Sequence, residues 1–305
     1  MSKPLISVVV PVYNQEKFVQ ETIESVLSQQ GVEFEVIAIN DGSTDRSSGI
    51  LKQYQDKIIV MEQKNLGVAE ARNAGIRRAR GDWIAFLDGD DRYLPGHLAQ
   101  AREFAGQHPE AILFYGDALV IEETGARLGR QKSHPEPSLE NLALGNFIVA
   151  SSVIARKTLF ESGEWFRSLH PAEDWDLWLR AAERGTLCHY PWLGVEYRKH
   201  FASATQTKLE QAEHCNLVIL EDFFRRHPER KNLERRARAT VYYESAVRSL
   251  RHQALKESRQ KIRQSLELDW KRKNSWLVLF LSLLPGAWVR RLIEFTRSVR
   301  KWKNR

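Results

Sequence analysis

Short apolar runs and amphipathic segments alternate along the first hundred residues of the chain. The apolar runs are rich in β-branched residues and lie at Ile6–Val10, Phe34–Ile39, Lys57–Val60 and Trp83–Leu87. Strands that are buried on both faces of a sheet have this composition. The segments between them, at about 16–29, 44–56 and 67–80, have the apolar spacing of helices. The alternation predicts an α/β fold with a parallel sheet and right-handed crossovers.

Polar residues follow three of these predicted strands at the point where each strand ends. Pro11–Asn14 follows the first strand, Asn40–Asp45 follows the second, and Asp88–Asp91 follows the fourth. Asn14 is also predicted to cap the helix that comes after it. Open α/β sheets bind ligands at the carboxyl ends of their strands. The three strand ends therefore predict a ligand site at one edge of the sheet.

The run Phe86–Asp91 places three carboxylates within four positions, directly after a buried strand. Carboxylates this close repel one another unless a divalent cation or several hydrogen-bond donors share the charge. The Asp-x-Asp pattern of Asp88 and Asp90 therefore indicates a site for a metal ion and for nucleotide phosphates. An Asp-rich turn, in which Asp91 caps the next helix, is the second interpretation of the same residues. The tripeptide alone leaves both interpretations open.

The pattern changes beyond residue 110, where strand-like runs are separated by polar segments. Strands are predicted at Ala111–Tyr115, Ala118–Ile121 and Ser151–Ala155, and residues 187–197 are predicted to return to the sheet. The polar segment Glu122–His134 is predicted to form a hairpin. The sheet should therefore extend well beyond the first four strands.

A second group of acids lies in the segment His170–Leu179. Pro171 favours a helix start, so Glu173 and Asp174 fall in the first turn, near the positive end of the helix dipole. Two interpretations remain open from the residues alone. The acids could only complement the dipole, with Trp175 in the core, or they could take part in chemistry.

The last third of the chain is helical, with helices predicted at about 207–227, 231–253 and 255–269 and a break at Pro228. The formal net charge of the 305-residue chain is +7, and it is unevenly placed. Residues 271–305 carry ten Lys and Arg against one acid, Glu294, so the preceding residues are close to neutral. The predicted domains are accordingly 1–205, a helical extension at 206–270, and a basic tail at 271–305.

The apolar segment Trp276–Val289 interrupts this basic tail. Pro285 and Gly286 divide it, and it is shorter than the roughly 20 residues that a membrane-spanning helix requires. Trp at both ends and cations beyond them predict an element that lies in the interface of an anionic membrane. A buried final pair of helices with a solvated basic tail is the alternative. Nucleic-acid binding is not expected, because the interleaved Leu and Trp residues fit lipid better.

The ordered motifs PVYNQEKFVQETIESVLSQQ, NDGSTDRS and NLGVAEARNAGIRRARGDWIAFLDGDDRYLP resemble the family 2 glycosyltransferases of the GT-A fold. The resemblance is dense over residues 5–98, returns at Glu173–Trp175 and Tyr197–His200, and ends at about residue 210. It implies an α/β fold of the GT-A type, with a mostly parallel sheet flanked by helices. It also implies an inverting transfer of a sugar from a nucleoside diphosphate, with Mn²⁺ or Mg²⁺ as the cofactor.

The resemblance assigns seven residues to the nucleotide sugar. These are Pro11, Tyr13, Asp41, Arg72, Asp88, Arg198 and His200. Pro11 and Tyr13 would wall the base, Asp41 would accept a hydrogen bond from the base, and Arg198 and His200 would hold the diphosphate. The chain departs from the family pattern at Asn40, where an Asp is usual.

The resemblance also assigns the remaining chemistry. Asp90 would bind the metal ion, and Asp174 would take the proton from the acceptor hydroxyl. Glu173 and Trp175 are assigned to the acceptor side.

The function expected from this resemblance is metal-dependent hexosyl transfer from a UDP-sugar to a glycan or lipid-linked acceptor of a surface polysaccharide. A catalytically degenerate binding protein at the membrane is the alternative. Met1–Pro4 runs straight into a strand, so no signal peptide is expected and the enzyme should lie on the cytoplasmic side of the plasma membrane. Cys188 and Cys215 lack a metal-binding spacing and are expected to be reduced thiols.

Overall fold

The computed structural model describes residues 6–163, 165–200, 209–289 and 291. These residues form two compact units. The first holds the described residues up to Ser138 together with Phe147–Lys199, and the second holds Leu139–Asn146 and the described residues from His200 onward. Leu139–Asn146 belongs to the second unit, although it lies far in sequence from the other residues of that unit. No local sequence pattern predicts such a grouping.

Within the described residues, the first unit contains one mixed sheet of nine strands. They are β1 (Ile6–Val12), β2 (Phe34–Asp41), β3 (Ile59–Gln63), β4 (Trp83–Phe86), β5 (Arg92–Tyr93), β6 (Ala111–Glu122), β7 (Arg127–Gln131), β8 (Ile154–Arg156) and β9 (Thr186–Lys199). The strand order is β3-β2-β1-β4-β8-β6-β9-β5, and β7 pairs with β6.

Strand direction divides this sheet into two halves. Strands β1 to β4 pair in parallel, as predicted. In the other half, β8 runs antiparallel to β4 and β6, β9 runs parallel to β6, and the predicted hairpin is formed by β6 and β7. The predicted α/β class is confirmed, and the sheet as a whole is mixed rather than mostly parallel.

The helices of the described residues follow the predicted spacing closely. They are α1 (Val19–Leu27), α2 (Ser47–Lys52), α3 (Val68–Arg78), α4 (His97–Gln107), α5 (Leu139–Ala143), α6 (Lys157–Glu161), α7 (Glu173–Arg184), α8 (Leu209–Arg226), α9 (Glu234–Arg251), α10 (Leu255–Leu268) and α11 (Lys273–Leu283). Short 3₁₀ helices lie at Ala150–Ser152 and Pro228–Leu233. Strand β3 begins two residues later than predicted, because the N–H groups of Lys57 and Ile58 close a turn on the carbonyl of Tyr54.

Helix α3 packs unusually close to the parallel half of the sheet. A Cβ atom on Gly75 would lie 2.5 Å from a methyl carbon of Val9 and 2.8 Å from one of Ile39. The absence of a side chain at Gly75 therefore lets the helix backbone approach the strands. From this helix Arg72 reaches Asp88, which lies just after β4.

The second unit is helical and has its own core. Ala246, Leu250, Ile262, Val278 and Val289 are buried together in it. In the part of the chain that the structure describes, no helix is both long and apolar enough to cross a bilayer.

Candidate active site

Two loops at the carboxyl edge of the sheet are joined by side-chain hydrogen bonds. The N–H of Thr44 donates to Oδ1 of Asn14 at 2.8 Å, and the N–H of Asn14 donates to Oγ of Ser43 at 3.0 Å. Asn14 therefore does not cap α1, which begins at Val19. Its positive φ of 53° turns it toward the neighbouring loop instead. The two loops form one continuous rim above β1 and β2.

Asp41 ends β2 inside this rim, and it is 3% exposed. One carboxylate oxygen accepts the N–H of Leu66 at 2.9 Å and the side-chain amide of Gln63 at 2.7 Å, and the other accepts the N–H of Gly67 at 2.8 Å. A carboxylate offers about four acceptor positions. Three donors thus occupy most of these positions and hold the Asp41 carboxylate in place.

The approach of the Leu66 loop to Asp41 depends on Gly42. The φ of Gly42 is +71°, and a Cβ atom there would lie 2.7 Å from the backbone nitrogen of Asn65. Any other residue would push the two loops apart. Tyr13 and Leu66 are exposed on this rim, at 45% and 61%. Because Val12 pairs with Asn40 in the sheet, Tyr13 and Asp41 follow at the same edge of the sheet.

The three carboxylates after β4 have different surroundings. Asp91 is buried, where one carboxylate oxygen accepts Oγ–H of Ser151 at 2.5 Å and the other accepts the N–H of Arg198 at 2.8 Å. Asp91 is therefore not a helix cap, and α4 begins six residues later at His97. Asp88 and Asp90 are half-buried. Burial raises the pKa of Asp91, and the charges of Asp90 and Asp88 raise it further.

Backbone contacts fix the loop that carries these acids. Oγ1–H of Thr22 lies within hydrogen-bond distance of the carbonyls of Gly89 and Asp91, at 3.0 and 2.8 Å. A Cβ atom on Gly89 would lie 3.0 Å from the carbonyl oxygen of Pro11. The Pro11 turn and the acidic loop therefore touch, as the convergence of strand ends predicted.

Arg72 on α3 is buried between two carboxylates from distant parts of the chain. Its Nη2 donates to Oδ1 of Asp88 at 2.6 Å, and its Nη1 donates to Oε1 of Glu173 at 2.7 Å. The ring of Phe166 lies against the guanidinium, 5.2 Å from centroid to Cζ. Arg72 was predicted to reach the nucleotide, but both of its terminal nitrogens are engaged by these carboxylates. One guanidinium thus connects the acidic loop with the start of α7.

The three acids in the first turn of α7 have distinct surroundings. Glu173 is 5% exposed, and its second oxygen pairs with Nδ1 of His170 at 3.2 Å. Burial alone would raise the pKa of Glu173, but the His170 hydrogen bond and the Arg72 charge lower it to about 2. Asp176 is buried and paired with Arg167 and Arg180.

Asp174 is therefore the half-buried member of the three acids, and its Oδ1 accepts the N–H of Trp175 at 2.7 Å. Trp175 itself is 3% exposed. Glu173 and Trp175, which the resemblance assigns to the acceptor side, are both buried in this structure. Glu173 joins the start of the helix that carries Asp174 to Arg72 and His170.

Arg198 at the end of β9 is buried beneath the acidic loop. It donates from Nε to the carbonyl of Asp90, from Nη1 to that of Glu123, and from Nη2 to the carboxylate of Glu21, each at 2.8 Å. Contact with a diphosphate would require one of these bonds to break. Arg198 therefore supports the loop in this structure. His200 follows β9, is half-buried, and belongs to the second unit.

Several residues of this site gave no signal in the sequence. Ser151 donates to Asp91 and accepts the N–H of Asp88 at 3.0 Å, yet it lies within an ordinary strand-like run. His170 was noted only as the start of a helical segment. The partner of Ser151, Asp91, lies 60 residues away in sequence. The partner of His170 is Glu173, which the resemblance assigns to the acceptor.

Asp88 and Asp90 offer carboxylate oxygens, the donor type that a hard divalent cation prefers. Mg²⁺ is usually held by one or two carboxylates together with substrate phosphates and waters. Burial raises the pKa of Asp88, and so does the charge of Asp90, so a cation would relieve the repulsion. Among the described residues, one trio has converging ligand atoms, within 4.8 Å of one another: His108, Glu110 and Cys188. That trio lies near the start of β6, at the opposite edge of the sheet.

Comparison with known proteins gives the class to which this sheet and its acidic edge belong. Residues 7–155 match the model of the family described as Glycosyl transferase family 2. The chain is 35% identical over 193 residues to the putative glycosyltransferase EpsE of Bacillus subtilis, covering 60% of this chain and 69% of that protein. It is 32% identical over 187 residues to the putative teichuronic acid biosynthesis glycosyltransferase TuaG of the same organism, covering 60% and 74%.

The fold is also similar to that of a solved structure. The crystal structure of S. aureus TarS 1-349 aligns with a TM-score of 0.58 and 20% identity, covering 94% of this chain and 91% of that one. The chain belongs to glycosyltransferase family 2, and the resemblance noted in its motifs is confirmed.

Proposed function

We propose that this glycosyltransferase moves a sugar from a UDP-sugar to a hydroxyl of a glycan or lipid-linked acceptor, with inversion at the anomeric carbon. The observation that carries the proposal is the Arg72 bridge. It joins Asp88, on the donor side, to Glu173, the neighbour of Asp174. A donor-binding acid and a candidate base are thereby held on either side of one buried guanidinium.

The proposed binding site for the uracil ring is the rim around Asp41. Asp41 is proposed to accept the N–H of the uracil ring, and the exposed ring of Tyr13 offers a stacking face at the same edge of the sheet. Two crystal structures of S. aureus TarS 1-349, in complex with UDP and with UDP-GlcNAc, align with TM-scores of 0.55 and 0.57. Those complexes support UDP as the nucleotide to test first.

The proposed metal ion is Mn²⁺ or Mg²⁺, held by Asp90 with Asp88 close by. When bound, it would neutralise charge on the leaving diphosphate as a Lewis acid. The chain's own residues orient the loop that carries these acids. Arg198 and Thr22 fix its backbone, and Ser151 fixes the carboxylate of Asp91.

Asp174 is proposed to accept the proton of the acceptor hydroxyl as that oxygen bonds to the anomeric carbon. The bond from the anomeric carbon to the diphosphate oxygen breaks in the same step, and UDP leaves. A single displacement of this kind inverts the configuration. General-base catalysis typically contributes 10²–10⁴-fold in rate. Asp174 suits this role because it is half-buried, whereas its acidic neighbours Glu173 and Asp176 are buried.

The proposed setting is surface polysaccharide synthesis at the cytoplasmic face of the plasma membrane. The description of TuaG as a teichuronic acid biosynthesis enzyme, at 32% identity, supports this setting. The rival proposal is a degenerate transferase that binds without turnover. The retention of Asp41, Asp88, Asp90 and Asp174 favours an active enzyme.

A donor panel tests the proposal directly. The full chain is incubated with UDP-glucose, UDP-galactose, UDP-GlcNAc and GDP-mannose in the presence of Mn²⁺, and the released nucleotide is measured. We expect hydrolysis of one UDP-sugar that falls strongly in Asp174→Asn and is unchanged in Asp56→Asn, an exposed acid-to-amide control. UDP binding by calorimetry without any hydrolysis would support the degenerate alternative. Once an acceptor is known, NMR of the product anomer tests inversion.

A further inference from the structure

Large apolar side chains are exposed along one stretch of the second unit. Within the described residues, Trp270, Trp276, Leu277, Phe280, Leu283 and Trp288 are each 52–68% exposed. Single exposed apolar residues are common on proteins, but a contiguous group marks an interaction surface. This group lies within nineteen positions of sequence, and most of it belongs to α11.

Helix α11 exposes four large apolar side chains, while its fully buried positions carry small ones. Trp276, Leu277, Phe280 and Leu283 are spaced i, i+1, i+4 and i+7, so they share one stripe, which we call the outer face of α11. The buried residues are Ser275, Val278 and Ser282. A helix on a soluble protein surface normally has the reverse arrangement.

Contacts on the inner side fix this orientation. The hydroxyl groups of Ser275 and Ser265 are buried and lie 3.2 Å apart, within hydrogen-bond distance. Val278 packs in the helical core with Ala246 and Ile262. Turning the outer face inward would break these contacts and place Trp and Phe where Ser and Val fit. The outer face is therefore exposed because the contacts of Ser275 and Val278 fix the orientation of the helix.

The charges around the outer face indicate what covers it. Lys271 and Lys273 are exposed immediately before it, and Arg291 follows the Trp288 segment. No Asp or Glu occurs between Asp269 and Glu294. An apolar stripe with Trp at its ends and cations beyond matches the profile of the interface of an anionic bilayer. At 11 residues, α11 is about 16 Å long, roughly half the thickness of the hydrocarbon core.

We propose that the outer face of α11, with Trp270 and Trp288, docks onto an anionic bilayer with the helix parallel to the membrane plane. Lys271 and Lys273 contact lipid phosphates, and the apolar stripe enters the boundary between headgroups and acyl chains. The second unit thereby holds the protein at the membrane surface. The inference stands independently of the transfer chemistry, because its residues lie outside the first unit.

Vesicle flotation with the full chain tests the proposal. Vesicles of phosphatidylcholine with 30% phosphatidylglycerol are compared with pure phosphatidylcholine, each at low and at high salt. We expect the anionic vesicles to carry the protein at low salt, and binding to fall at least tenfold with pure phosphatidylcholine. The double variant Phe280→Ser with Leu283→Ser should lose binding at least tenfold. Val218→Ser, which changes an exposed apolar residue of α8, should bind like the wild type.

Far-UV circular dichroism and the thermal transition of each variant confirm that it is folded. A second pair, Lys271→Glu with Lys273→Glu, separates the charge from the apolar stripe and should also lose anionic binding. Wild-type levels of binding by a folded outer-face variant would overturn the proposal. So would equal binding to both vesicle types at every salt concentration. Sedimentation velocity that instead showed self-association, lost in the outer-face variant, would assign the face to a second copy of the chain and overturn lipid docking.

Discussion

Replacing Arg72 with alanine should destabilise the first unit more than any exposed substitution on the same helix. Arg72 is 4% exposed in its side chain and pairs with Asp88 and Glu173 at 2.6 and 2.7 Å. Removing one partner of a buried ion pair typically costs 3–5 kcal/mol, because it leaves the other charge uncompensated. The Asp88 side chain is 31% exposed, so water will screen part of its charge. We therefore expect a loss of about 3 kcal/mol, toward the lower end of that range.

Urea unfolding followed by fluorescence measures this loss, with Arg78→Ala as the matched control. Arg78 is exposed one turn and a half further along α3, and its removal should cost less than about 0.5 kcal/mol. With m values of about 1–3 kcal/mol/M, the Arg72 variant should unfold at a midpoint lower by roughly 1 M or more. Equal midpoints for the two variants would refute the bridging role.

The pH dependence of this difference adds an independent check. The folded pKa of Glu173 is lowered to about 2 from an ordinary value of 4.5. A lowered carboxyl pKa stabilises the fold above pH 4.5, and that contribution is lost as the pH falls toward 2. The gap between wild type and Arg72→Ala should therefore narrow over this window. A gap that stays constant from pH 6 to pH 3 would contradict the assigned ion pair.

Three further predictions concern the chemistry. Asp174→Asn should lower the transfer rate by 10²–10⁴-fold with donor KM nearly unchanged, as measured in steady-state assays beside Asp56→Asn, because it removes the proposed base. EDTA should abolish wild-type activity and Mn²⁺ should restore it, whereas Asp90→Asn should stay inactive with Mn²⁺, because an amide is a poor ligand for a hard cation. Tyr13→Ala should weaken UDP binding about five- to tenfold by calorimetry, near the low end of base-stacking energies for so exposed a ring.

Each of these has a result that contradicts it. A large rise in donor KM without a fall in rate would remove Asp174 from the role of base. Full wild-type activity in EDTA would show that the reaction does not require a metal ion. An unchanged dissociation constant for UDP in Tyr13→Ala would show that the uracil ring does not stack on Tyr13.

The parallel half of the sheet could be predicted because its strands are buried on both faces. Their β-branched runs leave little ambiguity, and β1, β2 and β4 lie within one or two residues of the predicted bounds. The helices of the second unit were predicted equally well from apolar spacing. These signals are local, and each can be read from about ten residues of sequence.

The partners within the site could not be predicted, because they come from far away in the chain. Asn14 is a residue type that often caps helices, but its side chain accepts the N–H of Thr44 and its own N–H donates to Ser43, about 30 residues later. Asp91 also reads as a cap, yet Ser151 and Arg198 take its oxygens from 60 and 107 residues away. Sequence motifs identify which acids lie at the carboxyl edge of the sheet. The three-dimensional fold determines which of them are held by hydrogen bonds and ion pairs.

The Arg72 bridge has a consequence for the timing of synthesis on the ribosome. Its two carboxylate partners lie 16 and 101 residues further along the chain. At about 5–20 residues per second, Glu173 is translated roughly 5–20 s after Arg72. During that interval Arg72 lacks one of its two carboxylate partners. Ser151 and Arg198, which hold the acidic loop, are also made after Asp88, so this edge of the sheet is complete in its hydrogen bonds only when β9 has been translated.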